Sequence, residues 1–302
     1  MMVRQLAAPR VSATRPALSF ARLARVAGPA CVVVMMTVSS MCATACVGAP
    51  KATVRAASNS EADTWATETK LIEDNAFTLS DTQDAIVRVV GPIMTCTGTL
   101  IAPDRVLTAH HCVVQRGPRG EFLPKVVPAK DVSIELGGDY LPWGSVGLKA
   151  IVAPPCGHAG GRGDLAVLVL ERKLSGFRTI MPRLEAPPVK GEMLDPIGFG
   201  RCAASASGIR RRTREGGPVQ SVSAATFDIN ASICPGDSGG PLLARGEQDI
   251  VGIVSLSAMD ADETTRNMSV MARIDAFRSV FVLARTIAEG ADPSDMPPLS
   301  CD

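Results

Sequence analysis

From about residue 85 onward, apolar residues come in short runs, many of them β-branched, closed off by glycine, proline or aspartate. Runs of that length and composition predict short strands. Ala85 to Val90 is one, stopped by Gly91 and Pro92, while Thr99–Ile101 and Arg105–Thr108 flank the turn signal Ala102-Pro103-Asp104. Asp131 to Leu136 alternates apolar and polar positions and ends at Gly137 and Gly138, as a half-buried strand does. Leu165 to Leu170 is apolar throughout and Ile250 to Ser255 nearly so, which fits strands buried on both faces. One segment breaks the pattern. Asp275 to Glu289 places Phe277, Val280, Phe281, Ala284 and Ile287 near helical spacing, with Asp275 as the expected cap and Gly290 as the stop. Short strands, one late helix, 27 glycines and 22 prolines predict an all-β barrel or sandwich, and no internal repeat is visible.

The first 46 residues follow another rule. Arginines at 4, 10, 15, 22 and 25, with no acidic residue, lead into an uncharged stretch from Val26 to Pro50 whose apolar centre is Cys31 to Met36. The stretch closes on Ala43-Thr44-Ala45-Cys46. Basic, then apolar, then small residues is the layout of a cleaved secretory leader, here residues 1–46, although the length also allows a retained anchor. Ala-Thr-Ala-Cys also resembles a bacterial lipobox, which makes Cys46 a candidate for lipidation; ordinary cleavage after Ala45 is the alternative. Residues 47–70, rich in Ala, Ser, Thr and Glu, read as a linker or propeptide. Residues 71–302 are left as the folded body, long enough for a sizeable core.

Composition narrows the function. Hydrophobic residues at 46% and charged residues at 20% exclude wholesale disorder. Without the leader, 26 basic residues face 30 acidic ones, and aromatics are only 4% of the chain. A mildly acidic body with few stacking groups is not a nucleic-acid partner. Membrane association is expected only through the leader or a lipid on Cys46, and the folded body is expected to be a monomer.

The candidate chemistry sits in three places. Gly236-Asp237-Ser238-Gly239-Gly240-Pro241 surrounds a serine with glycines. A serine hydroxyl needs a base to become a nucleophile, and a glycine-rich path allows the amides of Gly236 and Ser238 to converge on one oxygen. Gly-x-Ser-x-Gly alone also fits the nucleophile elbow of an α/β-hydrolase, or a plain turn. The elbow requires a histidine after the serine, whereas His110, His111 and His158 all precede Ser238. The other two places are Leu107-Thr-Ala-His-His-Cys112 and Gly163-Asp164 before the apolar run to Leu170.

With these three motifs, in this order, the chain resembles the trypsin- or chymotrypsin-like serine endopeptidases from about Leu71 to the C-terminal helix, as a secreted member of bacterial type. The resemblance implies two antiparallel six-stranded β-barrels, about 71–178 and 179–273, followed by a helix at about 275–289. It makes Ser238 the nucleophile, His111 the general base and then acid, and Asp164 the group that orients and stabilises the imidazole, with the oxyanion hole at Gly236 and Ser238. His110, in place of the family's alanine, reads as a packed neighbour, and His158 receives no role. The resemblance also implies a Cys96–Cys112 disulfide beside the histidine. Cys156, Cys202, Cys234 and Cys301 allow three pairings, of which Cys202–Cys234 is favoured, with Cys156–Cys301 by default. Disulfides agree with an oxidising compartment. The cysteine and histidine spacings are wrong for a metal site, and no metal or cofactor is expected.

The same resemblance places Ser232 at the base of the specificity pocket, with Ser255, Ser257 and Ser269 along its walls. Without an aspartate at 232, preference for Lys or Arg is not expected, and the hydroxymethyl groups at 257 and 269 favour a small or medium uncharged side chain. Ser255 is also expected to bond Asp164. Activation by cleavage after Lys70, freeing Leu71 to pair with Asp237, is the family route, although Glu73 and Asp74 stand where the family has glycines. Arg210, Arg211, Arg212 and Arg214 read as a solvated loop, with a substrate contact or a nick site as alternatives. The expected substrates are proteins or peptides. The rival reading is an inactive trypsin-fold binding protein at the cell surface.

Overall fold

The computed structural model describes residues 80–138, 141–203, 208–258 and 264–300. The chain first forms β1 (Ile86–Val90), β2 (Thr95–Ala102) and β3 (Arg105–Thr108). A separate hairpin follows, β4 (Val114–Arg116) and β5 (Phe122–Val126), and then β6 (Ser133–Leu136), β7 (Gly144–Val152) and β8 (Ala166–Leu170). Strands β1, β2, β3, β8, β7 and β6 close into a six-stranded antiparallel barrel, and β4–β5 stand outside it. The second half contributes β9 (Met193–Gly198), β10 (Arg212–Thr213), β11 (Gly217–Val222), β12 (Thr226–Ala231), β13 (Pro241–Ala244), β14 (Ile250–Ser257) and β15 (Asn267–Arg273). Its ring runs β9, β11, β12, β15, β14, β13 and closes by β13 pairing with β9, while β10 attaches to β9 alone. These are the two six-stranded barrels expected. Closure leaves neither ring with an open edge.

Burial follows the patterning. Strand β12 buries every second residue, as a sheet with one apolar face does, while β8 is buried at every position. The continuous run in β8 has a local cause: the C-terminal helix α1 (Arg278–Ala288) packs on that strand and on β7, with Val280, Phe281, Ala284 and Ile287 buried. No helix among the described residues is long and apolar enough to cross a membrane.

Three boundaries differ from the sequence expectation. The strand expected from Asp131 begins at Ser133, because Ala129–Asp131 is a 3-10 turn. The strand around Thr99–Ile101 is longer, Thr95–Ala102. Asp275 does not cap the helix: it lies in a 3-10 turn, Asp275–Phe277, and its carboxylate accepts two hydrogen bonds from Arg273, from Nε at 3.1 Å and Nη2 at 2.5 Å. A neighbouring guanidinium makes a stronger partner for the carboxylate than helix amides.

Candidate active site

Pairing between β3 and β8 brings the first two motifs together. Thr108 sits opposite Ala166, so the turn after β3, His110–Val113, meets the residues entering β8. The Cys96–Cys112 disulfide ties that turn to β2. Asp164 is fully buried and accepts three hydrogen bonds there. His111 N donates to Oδ1 at 2.9 Å, His111 Nδ1 lies 2.8 Å from Oδ2, and Ser255 Oγ, from β14 of the other barrel, donates to Oδ2 at 2.5 Å. Burial alone raises the carboxyl, but the His111 charge and these hydrogen bonds outweigh it and hold Asp164 below its ordinary value. A carboxylate only accepts, so Nδ1 of His111 is the donor in this pair.

Ser238 lies between β12 and β13, in a loop with glycines in left-handed backbone at Gly236 (φ 103°) and Gly239 (φ 78°). A Cβ on Gly239 would stand 2.3 Å from Thr108 Oγ1 and 2.5 Å from Thr97 O, so only glycine lets the loop seat against the first barrel. Thr97 fastens this contact from the other side. Its N–H donates to Ser238 O at 2.9 Å, and its hydroxyl donates to Gly236 O at 2.7 Å while accepting from Phe199 N at 3.0 Å. Ser238 O also lies 3.8 Å from the sulfur of Cys112, the residue after His111. No hydrogen bond joins Ser238 Oγ to His111, a contact that commonly tightens only when substrate binds. The amides of Gly236 and Ser238 donate to no other described group.

Asp237, expected to receive the ammonium of a freed Leu71, has a different partner. Arg214 Nε lies 2.8 Å from its Oδ2, with side chains 3% and 0% exposed. Gly200 N donates to Oδ1 at 2.7 Å, Cys234 N donates to Oδ2 at 2.9 Å, and Arg214 Nη2 also reaches Gly200 O. Burial pushes the Asp237 carboxyl up, against the opposite pull of Arg214 and the two amides. The Cys202–Cys234 disulfide fixes the same two segments to each other. Arg214 is therefore not part of a solvated loop. Nor is Arg211, which pairs with Asp84 at 3.0 Å.

Of the four serines expected around the specificity pocket, Ser255 is bonded to Asp164 and Ser232 is fully buried. Ser257 and Ser269 are register partners on β14 and β15, and their hydroxyl oxygens lie 2.7 Å apart. Ser269 Oγ also donates to Asn267 O at 3.0 Å. Lys70, Leu71 and Cys46 lie outside the described residues, as does Cys301, the expected partner of the disulfide-bonded Cys156. His110 is a packed neighbour, 2% exposed, with a ring nitrogen pKa lowered by burial, and His158 is shifted down for the same reason. Among the described residues, one group gathers three metal-binding side chains, Cys96, His111 and Cys112, and both of its sulfurs are spent in the disulfide.

Sequence reasoning missed Thr97, Arg214 and Phe122. Phe122 opens β5, is 38% exposed, and sets its ring edge-on to His111 (centroids 5.6 Å apart) and to His158 (5.0 Å). A threonine inside a strand, one arginine among four, and a lone aromatic in a loop region carry no local mark of such contacts.

The model of the trypsin family matches residues 82–281, about two thirds of the chain. The chain belongs to the trypsin family. Among its relatives are an uncharacterized peptidase of Corynebacterium glutamicum (strain R), 26% identical over 59% of this chain and 59% of that protein, and serine protease SP24D of Anopheles gambiae, 29% identical over 57% and 65%. The peroxisomal leader peptide-processing protease of Mus musculus is 29% identical over 54% of this chain but 26% of its own length. The matched region thus spans from about a quarter to two thirds of these trypsin-family relatives. In fold, the chain is similar to a Glu endopeptidase solved in complex with MPD, with TM-score 0.52 and 22% identity over 70% of this chain and 94% of that one. It is similar also to a mutant of human heparin binding protein, with TM-score 0.54 and 17% identity over 72% and 98%.

Proposed function

We propose that the protein is a secreted serine endopeptidase working through His111, Asp164 and Ser238. Ser238 Oγ attacks the scissile carbonyl and passes its proton to His111 Nε2. Asp164, ionised and held by Ser255, stabilises the imidazolium that results. The amides of Gly236 and Ser238 receive the developing oxyanion. His111 then gives the proton to the departing amine, and water hydrolyses the acyl-enzyme by the same steps in reverse. The observation that carries this reading is Asp164, which gathers His111 through ring and backbone and Ser255 from the second barrel into one buried hydrogen-bonded centre.

The acyl-side pocket takes a small or medium uncharged side chain. Ser232 supplies no charge at its base. The Ser257 and Ser269 hydroxyl oxygens lie 2.7 Å apart, with Ala258 O and Asn267 O as further acceptors for the two protons.

Cleavage after Lys70 is not required for activity in this reading. In the family route a new ammonium neutralises the buried aspartate before the nucleophile; here Arg214, from within the chain, stands against Asp237. Secretion is supported by the leader pattern and by disulfides, which persist in oxidising compartments. The test is a peptide-library cleavage profile of the purified protein and of Ser238→Ala. Cleavage after small or medium uncharged residues, abolished in the variant, is expected. Preference for Lys or Arg would overturn the pocket assignment, and equal cleavage by the variant would overturn the nucleophile.

A further inference from the structure

The hydrogen bond from Nδ1 to Asp164 fixes one edge of the His111 ring. An imidazole on two rotatable side-chain bonds has several staggered positions, and packing has to exclude the others. The chain supplies that packing close by in sequence. The turn His110–Val113 runs directly into β4, and β5 returns antiparallel to it with Phe122 opposite Arg116. The hairpin brings Phe122 back against the imidazole, with ring centroids 5.6 Å apart and planes at 76°. On another side the same ring meets His158, with centroids 5.0 Å apart and planes at 64°. His158 precedes the turn Ala159–Gly161 on the way to Asp164. Phe122 is therefore wedged between the segment that carries His111 and the segment that carries Asp164. Both crossings are the edge-on arrangement that aromatic rings prefer. Burial holds His158 below its ordinary pKa, against the pull of Asp164, so its ring meets Phe122 uncharged at neutral pH.

The wedge is itself pinned. The guanidinium carbon of Arg116 lies 3.2 Å from the centroid of the Phe122 ring, a cation–π contact. Arg116 also donates Nη1 to Gly120 O at 2.9 Å and Nη2 to Met94 Sδ at 3.4 Å. Backbone bonds close the hairpin: Gly117 N donates to Glu121 O at 2.8 Å, and Val127 N donates to Val113 O at 2.8 Å. Yet Phe122 is 38% exposed and belongs to neither hydrophobic core, and its hairpin stands outside both barrels. Its ring contacts are with the two imidazoles and Arg116, so its removal disturbs those groups and leaves the barrel cores intact.

We propose that Phe122 is a positioning residue, which holds the His111 imidazole in the orientation that keeps Nδ1 on Asp164 and leaves Nε2 to take the Ser238 proton. The proposal rests on the peptidase reading, and a second readout keeps the two apart. In Phe122→Ala, kcat on a peptide anilide is expected to fall about five- to ten-fold, the scale of one lost aromatic contact, with KM unchanged. Phe122→Leu, which refills most of the space, is expected to recover most of that loss. Thermal unfolding is expected to show both variants folded. The readout that needs no turnover is the far-downfield proton resonance of the His111–Asp164 hydrogen bond, expected in wild type and Phe122→Leu and broadened away by exchange in Phe122→Ala. A rise in KM with kcat unchanged would make Phe122 a substrate contact and overturn the proposal. So would kcat and resonance both unchanged in Phe122→Ala, or Phe122→Leu as impaired as Phe122→Ala. A folded wild type that cleaves no substrate would overturn the peptidase reading, and the resonance then still decides whether Phe122 holds the imidazole.

Discussion

Asp164 and Asp237 are both fully buried carboxylates, one at the edge of each barrel, and they are displaced in opposite directions. Asp164 is held below its ordinary value by His111 and Ser255, whereas burial keeps Asp237 above its own despite Arg214 and two amides. The partners explain the difference. Asp164 faces the His111 ring and backbone and the Ser255 hydroxyl, and all three favour the carboxylate. Asp237 faces a permanent cation and fastens loop to loop, from Gly200 through Cys234 to the nucleophile. In the proposed reading one aspartate acts on chemistry, the other on shape.

The largest effect that separates them is in Asp164→Asn. The amide does not fix the imidazole in the required tautomer, and kcat is expected to fall by about 10⁴-fold, while thermal unfolding shows the protein still folded. A rate near wild type would place the chemistry elsewhere.

Changing the other side should act on stability first. Arg214→Met leaves Asp237 buried without its cation, which costs about 3–5 kcal/mol and lowers Tm by about 10 °C or more. The double variant Arg214→Met/Asp237→Asn is expected to recover most of that loss, because an unpaired charge rather than a missing contact is the cause. If the single variant melts with wild type, the pair is not a structural tie.

The smallest effect concerns His110. Its pKa in the folded protein lies below the ordinary 6.5, so the unfolded chain binds more protons between the two values. Stability is therefore lost as pH falls below 6.5 through the folded-state value. His110→Ala is expected to flatten the decline of Tm between about pH 7 and pH 5. The Asp164 contribution has the same sign but is lost only as pH falls below its unfolded value near 3.8, outside that window. An unchanged slope would show that His110 does not titrate there.

Much of this was legible in the chain. The apolar run Leu165–Leu170 announced a strand buried on both faces, and the order of His111, Asp164 and Ser238 matched one family. The helix was legible from Val280 to Ile287, but not its start, because Asp275 bonds Arg273, a residue two places back in β15. Arg214 was read as solvated since neither its neighbours nor its spacing mark the one arginine among Arg210, Arg211, Arg212 and Arg214 that turns inward; that depends on a carboxylate 23 residues away. Thr97 escaped for the same reason, with its Gly236 partner 139 residues distant. Long-range pairings of single polar side chains leave no periodic trace, whereas burial of a whole face does.

The central claim is that Ser238 is an activated nucleophile in the uncleaved chain, with Arg214 in the place of a freed ammonium. Fluorophosphonate labelling tests it most directly, on the intact protein and after limited cleavage at Lys70, each beside Ser238→Ala. The account predicts labelling of the intact wild type, little change on cleavage, and none in the variant. Labelling that appears only after cleavage, or no labelling of folded protein in either form, would contradict it.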